Sequence, residues 1–233
     1  MTATAASVVC VVLLGPPGSG KGTQAKRLVG RHQGWVHVST GDLFRAEISS
    51  GSGLGVSVKA TIDAGNLVSD ETTNEVFASQ LDKILKSKPQ TKVLLLDGYP
   101  RTRPQAQALV ALTKRRPDLA DIKIVEFVAS EELLVERLSG RRINPKTGRI
   151  YHLVSNPPTV PGRCDDDGTE LVQRADDKPE TIRSRYRLYV KERDGIVKGL
   201  VEGGFESPVA IEAGLAPDLV EAKLETTIAS ILD

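Results

Sequence analysis

The sequence predicts an α/β protein, a parallel sheet with helices on both faces and one smaller, irregular insertion. Three observations carry this. Short apolar, β-branched runs recur along the chain, as sheets covered on both faces require. Helical periodicity fills the stretches between them, and that alternation makes successive strands parallel. From Arg141 to Lys178 both patterns give way to Gly, Pro, Asn, Asp and Arg.

Val8–Leu14 reads as the first buried strand, and the glycine-rich loop Gly15–Gly22 leads into a helix from Thr23. A short strand at Trp35–Val38 meets Ser39-Thr40-Gly41-Asp42, whose small polar side chains suit the cap of a helix over Leu43–Ser49. Gly51-Ser52-Gly53 breaks the chain before a further helical stretch to Gly65. Ser69-Asp70-Glu71 opens a helix reaching about Lys86. Lys92–Leu96 is a buried strand, Pro104–Lys114 a helix, Ile122–Val128 a strand, and Ser130-Glu131-Glu132 caps a helix running to Gly140. Within the insertion, Asn144-Pro145-Lys146-Thr147-Gly148 reads as a hairpin turn, and Asn156-Pro157-Pro158 interrupts any regular element. Helical patterning returns over Pro179–Leu200, then a last strand near Val209–Ile211 and a closing helix over Pro217–Leu232.

The chain has 233 residues, 26% charged and 39% hydrophobic, with a formal net charge of +1. That length supports one large core with inserted lobes. So small a net charge argues against a general nucleic-acid or anionic-membrane binder, which needs a basic face. The two cysteines, Cys10 in an apolar run and Cys164 in a polar loop, make no disulfide framework, so a reducing compartment is expected. Val8–Leu14 is too short to cross a bilayer, and Met1–Ser7 lacks the Arg-rich character of a transit peptide. Cytosol is the expected compartment and a monomer the expected state.

Gly15-Pro16-Pro17-Gly18-Ser19-Gly20-Lys21 lies between a predicted strand and a predicted helix, the setting a phosphate-binding loop requires. Its backbone N–H groups, the helix N-terminus and the Lys21 ammonium all favour phosphate oxygens. The core is therefore read as a three-layer phosphate-loop NTPase. Such loops carry Ser or Thr directly after the lysine to hold Mg²⁺. Here Gly22 stands there and Thr23 follows, so the metal is expected at Asp97, directly or through water, where the strand Val93–Leu96 ends.

Five blocks make the reading specific: 15–24, Ser39-Thr40-Gly41-Asp42-Leu43-Phe44-Arg45, Leu96-Asp97-Gly98-Tyr99-Pro100-Arg101, Gly140-Arg141-Arg142 and Arg174-Ala175-Asp176-Asp177. In order and spacing they resemble the adenylate kinases of the long-lid form, over essentially the whole chain. The resemblance implies reversible, Mg²⁺-dependent transfer of a phosphoryl group from ATP to AMP, giving two ADP. It implies a core over 1–38, 69–139 and 178–233, a helical monophosphate-binding lobe over 39–68 and a small β lid over 140–177. ATP is expected at Gly18, Ser19, Gly20, Lys21, Gly22 and Thr23, with Arg137 on its adenine and Arg141 on its phosphates. AMP is expected at Thr40, Arg45, Asn66, Val68, Gly98, Arg101 and Gln105. Arg141, Arg174 and Arg185 would surround the phosphates in transit, with Arg174 and Arg185 also reaching AMP. Lys21, Arg101 and Asp97 complete the catalytic set, and Asp176 and Asp177 would help close the lid by pairing with arginines.

Thr40 and Gln105 match the adenylate pattern, in which the glutamine amide pairs with the adenine edge. Many long-lid relatives hold structural zinc with four ligands, usually cysteines. The corresponding residues here are Asn144, Thr147, Cys164 and Asp167, a poor tetrahedral set, so no zinc is expected and a hydrogen-bonded network takes its place. His152 is expected to stack or make a surface hydrogen bond rather than bind metal. The alternatives are a GTP:AMP phosphotransferase and an inactive nucleotide-binding sensor of the same fold.

Overall fold

The computed structural model describes residues 8–232, so the reading of Met1–Ser7 falls outside the described residues. Its chain order is β1 (Val8–Leu14), α1 (Lys21–Arg31), β2 (Trp35–Ser39), α2 (Thr40–Ser50), α3 (Gly53–Asp63), α4 (Asp70–Ser87), β3 (Val93–Asp97), α5 (Arg103–Arg115), β4 (Leu119–Val128) and α6 (Glu131–Ser139), followed by β5 (Arg141–Ile143), β6 (Ile150–His152), α7 (Pro179–Glu202), β7 (Val209–Glu212) and α8 (Pro217–Leu232). β2, β3, β1, β4 and β7 form one sheet in that order, and every pairing in it is parallel.

Alternation along β1 builds the three layers. Cys10, Val12 and Leu14 face Phe77 and Leu81 of α4, Leu109 of α5 and Leu200 of α7. Val11 and Leu13 face Ala25 and Leu28 of α1 and Val220, Leu224 and Ile228 of α8. Because successive side chains point to opposite faces of a strand, a strand buried on both faces must be apolar throughout, as β1 is. The chain runs from β1 to β2 on one side and later from β3 to β4 on the other. This change of direction opens a crevice beyond the carboxyl ends of β1 and β3, the usual ligand position in such sheets.

Helices α1 and α2 start earlier than the sequence indicated. Lys21 and Gly22 belong to the first turn of α1, which aims their N–H groups at the loop. α2 starts at Thr40 because Ser39 alone is the cap, its hydroxyl accepting from Asp42 N–H at 3.2 Å. The first-turn N–H groups of α2 therefore point into the same crevice. Residues 141–152 form the expected antiparallel hairpin, with Tyr151, Cys164 and Leu171 as a small apolar cluster of their own.

Candidate active site

A single cleft opens where β1, β2 and β3 end, lined by the loop after β1, Lys21, Gly22 and Thr23, by Ser39, and by Asp97. Arg45, Arg101, Arg141, Arg174 and Arg185 line it too. A smaller pocket adjoins it, lined by Thr40, Asn66, Val68, Gly98 and Gln105, and it shares Arg45, Arg101 and Arg185 with the cleft. Residues that the sequence placed in two binding groups thus converge on two connected cavities. Two residues are exceptions: Arg137 is half-buried on the last turn of α6, and Ser19 is buried with its hydroxyl on the Lys21 ammonium; neither is in the lining of either cavity.

The Lys21 ammonium folds over the loop, donating to Gly15 O and Pro16 O at 2.8 Å each and to Ser19 Oγ at 3.3 Å. Burial lowers its pKa to about 8; Asp97 opposes that shift, and Arg101, Arg185 and Arg141 add to it. Burial would raise the Asp97 carboxyl. The hydrogen bond from His37 Nε2 (3.3 Å), together with the Lys21 and Arg101 charges, outweighs burial and takes it down to about 2. Asp97 therefore stays an anion, a fit partner for a hydrated divalent cation. The same carboxylate bears on Gly22: a Cβ there would lie 2.9 Å from Asp97 Oδ2, so a larger residue would displace the carboxylate.

Guanidinium groups so close together repel one another, and carboxylates beside them offset this. Arg141 pairs bidentately with the fully buried Asp177, Nε to Oδ2 at 2.8 Å and Nη2 to Oδ1 at 2.6 Å. Arg185 donates to Asp176 Oδ2 at 2.7 Å, and Arg45 Nη2 to Asp42 Oδ1 at 2.6 Å. The expectation that Asp176 and Asp177 pair with arginines is met by Arg185 and Arg141 rather than by their neighbour Arg174. A 3₁₀ turn over Ala175–Asp177, closed by Asp177 N–H on Arg174 O at 3.1 Å, turns the two carboxylates inward. Arg174 keeps a buried Nε with no partner, and its pKa is lowered by burial first and then by Arg141 and Arg45. A buried guanidinium with an unmet donor beside a phosphate loop is suited to an anion.

Gly98 O gathers the wall between the two cavities, accepting from Thr40 Oγ1 at 2.7 Å and from Arg101 Nε at 2.8 Å. Gln105 is 1% exposed. Its Oε1 accepts from Arg101 N–H and its Nε2 donates to Asp70 Oδ1, both at 2.8 Å.

The family model for adenylate kinase matches residues 13–202. This chain belongs to the adenylate kinase family. It is 44% identical to the adenylate kinase of Pyrococcus furiosus over 81% of this chain and 82% of that one. It is 45% identical to an adenylate kinase of Anaeromyxobacter sp. over 79% and 83%, and 40% identical to that of Thermococcus gammatolerans over 90% and 89%. The chain is accordingly an enzyme, a nucleoside monophosphate kinase built on the phosphate-loop fold.

Within this adenylate kinase fold the four positions compared with zinc ligands join a hydrogen-bonded cluster. Asn144 Oδ1 accepts from Lys146 N–H at 2.8 Å and Thr147 N–H at 3.3 Å, while Asn144 Nδ2 reaches Asp167 Oδ1 at 2.9 Å. Tyr151 OH donates to Cys164 Sγ at 3.5 Å. Among the described residues no group of three or more His, Cys, Asp or Glu could hold a metal. His152 makes hydrogen bonds rather than a stack, Nδ1 accepting from Val154 and Ser155 N–H at 3.1 Å each. No described helix is long and apolar enough to cross a membrane.

Sequence reasoning missed several residues of the site. Asp42 carries no site role in the sequence analysis, although Arg45 three residues on is a readable helical partner. Lys26 and Tyr189 also line the cleft. Tyr189 OH donates to Glu126 Oε1 at 2.8 Å, and Arg193 grips the same carboxylate through Nε at 2.9 Å and Nη2 at 2.5 Å. Arg185, Tyr189 and Arg193 recur at four-residue spacing along one face of α7, and Glu126 holds the last two.

Proposed function

We propose that this enzyme catalyses ATP + AMP ⇌ 2 ADP, with Mg²⁺ entering on ATP. The observation that supports it is the meeting of Lys21 and five arginines over one phosphate loop, next to a separate pocket lined by Thr40, Val68 and Gln105. In this reading the ATP phosphates lie against the N–H groups of Gly18, Ser19, Gly20, Lys21, Gly22 and Thr23. The AMP phosphate lies on Arg45 and Arg101, with its base beside Thr40, Asn66, Val68, Gly98 and Gln105. Arg141, Arg174 and Arg185 neutralise the group in transit. Arg137, at the root of the 140–177 segment, is our assignment for the donor base.

An AMP phosphate oxygen attacks the γ-phosphorus as the bond to the β-phosphate oxygen breaks, and ADP leaves. The attacking oxygen is already anionic, so no general base is needed. The protein positions both nucleotides and spreads the charge. Arginine suits that work because its planar fork meets two phosphate oxygens and keeps its charge. Asp97 is the residue that would hold Mg²⁺ through water, and the chemistry the ion would supply is neutralisation of charge on ATP. Closure of the 39–68 and 140–177 segments over both nucleotides would exclude water as the competing acceptor.

The test is a coupled assay of ADP formation with purified protein and Mg²⁺, offering AMP, CMP, UMP or GMP with ATP, and AMP with GTP. Turnover confined to ATP and AMP is expected. Faster turnover with GTP would make it a GTP:AMP phosphotransferase, and binding of both nucleotides without turnover would refute the kinase reading.

A further inference from the structure

Gln105 is held at both ends of its amide by groups that leave no choice of orientation. The Arg101 backbone N–H is a donor only, so it requires the amide oxygen, and it meets Oε1 at 2.8 Å. The Asp70 carboxylate is an acceptor only, so it requires the amide nitrogen, and it meets Nε2 at 2.8 Å. Asp70 Oδ1 also accepts from Thr102 Oγ1 at 2.8 Å, and that hydroxyl in turn accepts from Gln105 N–H at 3.2 Å. Asp70 lies in the first turn of α4, two residues after Val68, which lines the same pocket as Gln105.

We propose that Asp70 is a specificity-determining positioning residue: by accepting from Gln105 Nε2 it fixes which end of the amide the acceptor base meets. The proposal rests on the reading of Gln105 as the residue that contacts that base. With one N–H committed to Asp70 and one oxygen lone pair to Arg101, the amide keeps one donor on nitrogen and one acceptor on oxygen for a ligand. Adenine offers the matching pair, an acceptor at N1 and a donor at N6. A 6-oxopurine such as hypoxanthine or guanine offers the reverse, a donor at N1 and an acceptor at O6. For a base seated in one orientation, turning the amide over exchanges the two readings. Discrimination therefore depends on the cost of that turn, and the carboxylate is one of its two locks. Asparagine at 70 keeps the size and presents either a donor or an acceptor, so it releases that lock without opening a cavity.

The experiment compares kcat/KM for AMP and for IMP, with ATP as donor, in the wild type, Asp70→Asn, Thr102→Val, Gln105→Leu and Asp70→Asn/Gln105→Leu. A hydrogen bond to a charged group decides about tenfold or more, so Asp70→Asn should lower the AMP-to-IMP ratio by about that factor. Thr102→Val removes a helix cap but leaves the lock, so it should lower thermal stability and leave the ratio unchanged. In the Gln105→Leu background, Asp70→Asn should not change the ratio further. An unchanged ratio in Asp70→Asn, or an equal fall in Thr102→Val, overturns the proposal in favour of Asp70 as a helix-start residue alone. If Gln105→Leu itself leaves the ratio unchanged, the reading of Gln105 has failed and the proposal falls with it, an outcome distinct from failure of Asp70→Asn alone.

Discussion

The state of Lys21 makes a quantitative prediction about ATP binding. Its pKa of about 8 means that about half the unliganded protein lacks this charge at pH 8. Triphosphate oxygens beside the amine favour the ammonium and should return its pKa to about 10 or above. Binding should then take up about 0.5 proton at pH 8, about 0.8 at pH 9 and close to none at pH 6. In affinity terms, the ATP Kd should rise about tenfold between pH 6 and pH 9, or about 1.4 kcal/mol. The sign follows from the shift: the free protein holds the lower pKa, so raising the pH removes a proton that the complex needs. Isothermal titration calorimetry in buffers of different ionisation enthalpy reads the uptake directly. Lys21→Met should abolish it while circular dichroism stays unchanged. A binding enthalpy independent of buffer at pH 8 and 9, or uptake that persists in Lys21→Met, would mean that Lys21 does not gain the proton on binding.

Three further outcomes are expected. Arg101→Lys keeps a charge but loses the planar fork held on Gly98 O, so kcat/KM for AMP should fall about a hundredfold or more with little loss of stability; near-wild-type kinetics would remove Arg101 from the acceptor site. Asp177→Asn leaves buried Arg141 without its bidentate partner and should cost about 3 kcal/mol of unfolding free energy, measured by urea titration. Asp97, with its pKa down at about 2, contributes stability that is complete above about pH 4 and is lost as pH falls toward 2, worth about 2 kcal/mol. Urea titrations at pH 5 and pH 3 should therefore differ less for Asp97→Asn than for the wild type, and an equal difference would contradict the assigned cause.

The strands were legible because burial on both faces demands apolar, β-branched runs, and Val8–Leu14 or Val93–Asp97 admit no other pattern. The phosphate loop was legible because backbone geometry requires its glycines in a fixed local order. Helix starts were less so: four small polar residues at 39–42 are all capable caps, and only geometry selects Ser39. Contacts between distant parts of the chain left no pattern at all. Asp70 and Gln105 lie 35 residues apart and meet because α4 and α5 pack together, and Glu126 and Arg193 lie 67 apart. The basic residues of the site were legible as a set only through family resemblance, since an isolated arginine looks the same in a cleft as on a surface. Their carboxylate partners follow from electrostatics, because so many buried cations require nearby anions.

If this cleft passes a phosphoryl group from one nucleotide to another while excluding water, labelled ATP should follow that path. With [γ-³²P]ATP, Mg²⁺ and AMP, label is expected at the β-position of newly formed ADP, with release of inorganic phosphate near background whether AMP is present or absent. Inorganic phosphate as the main labelled product would contradict it and make the protein a hydrolase.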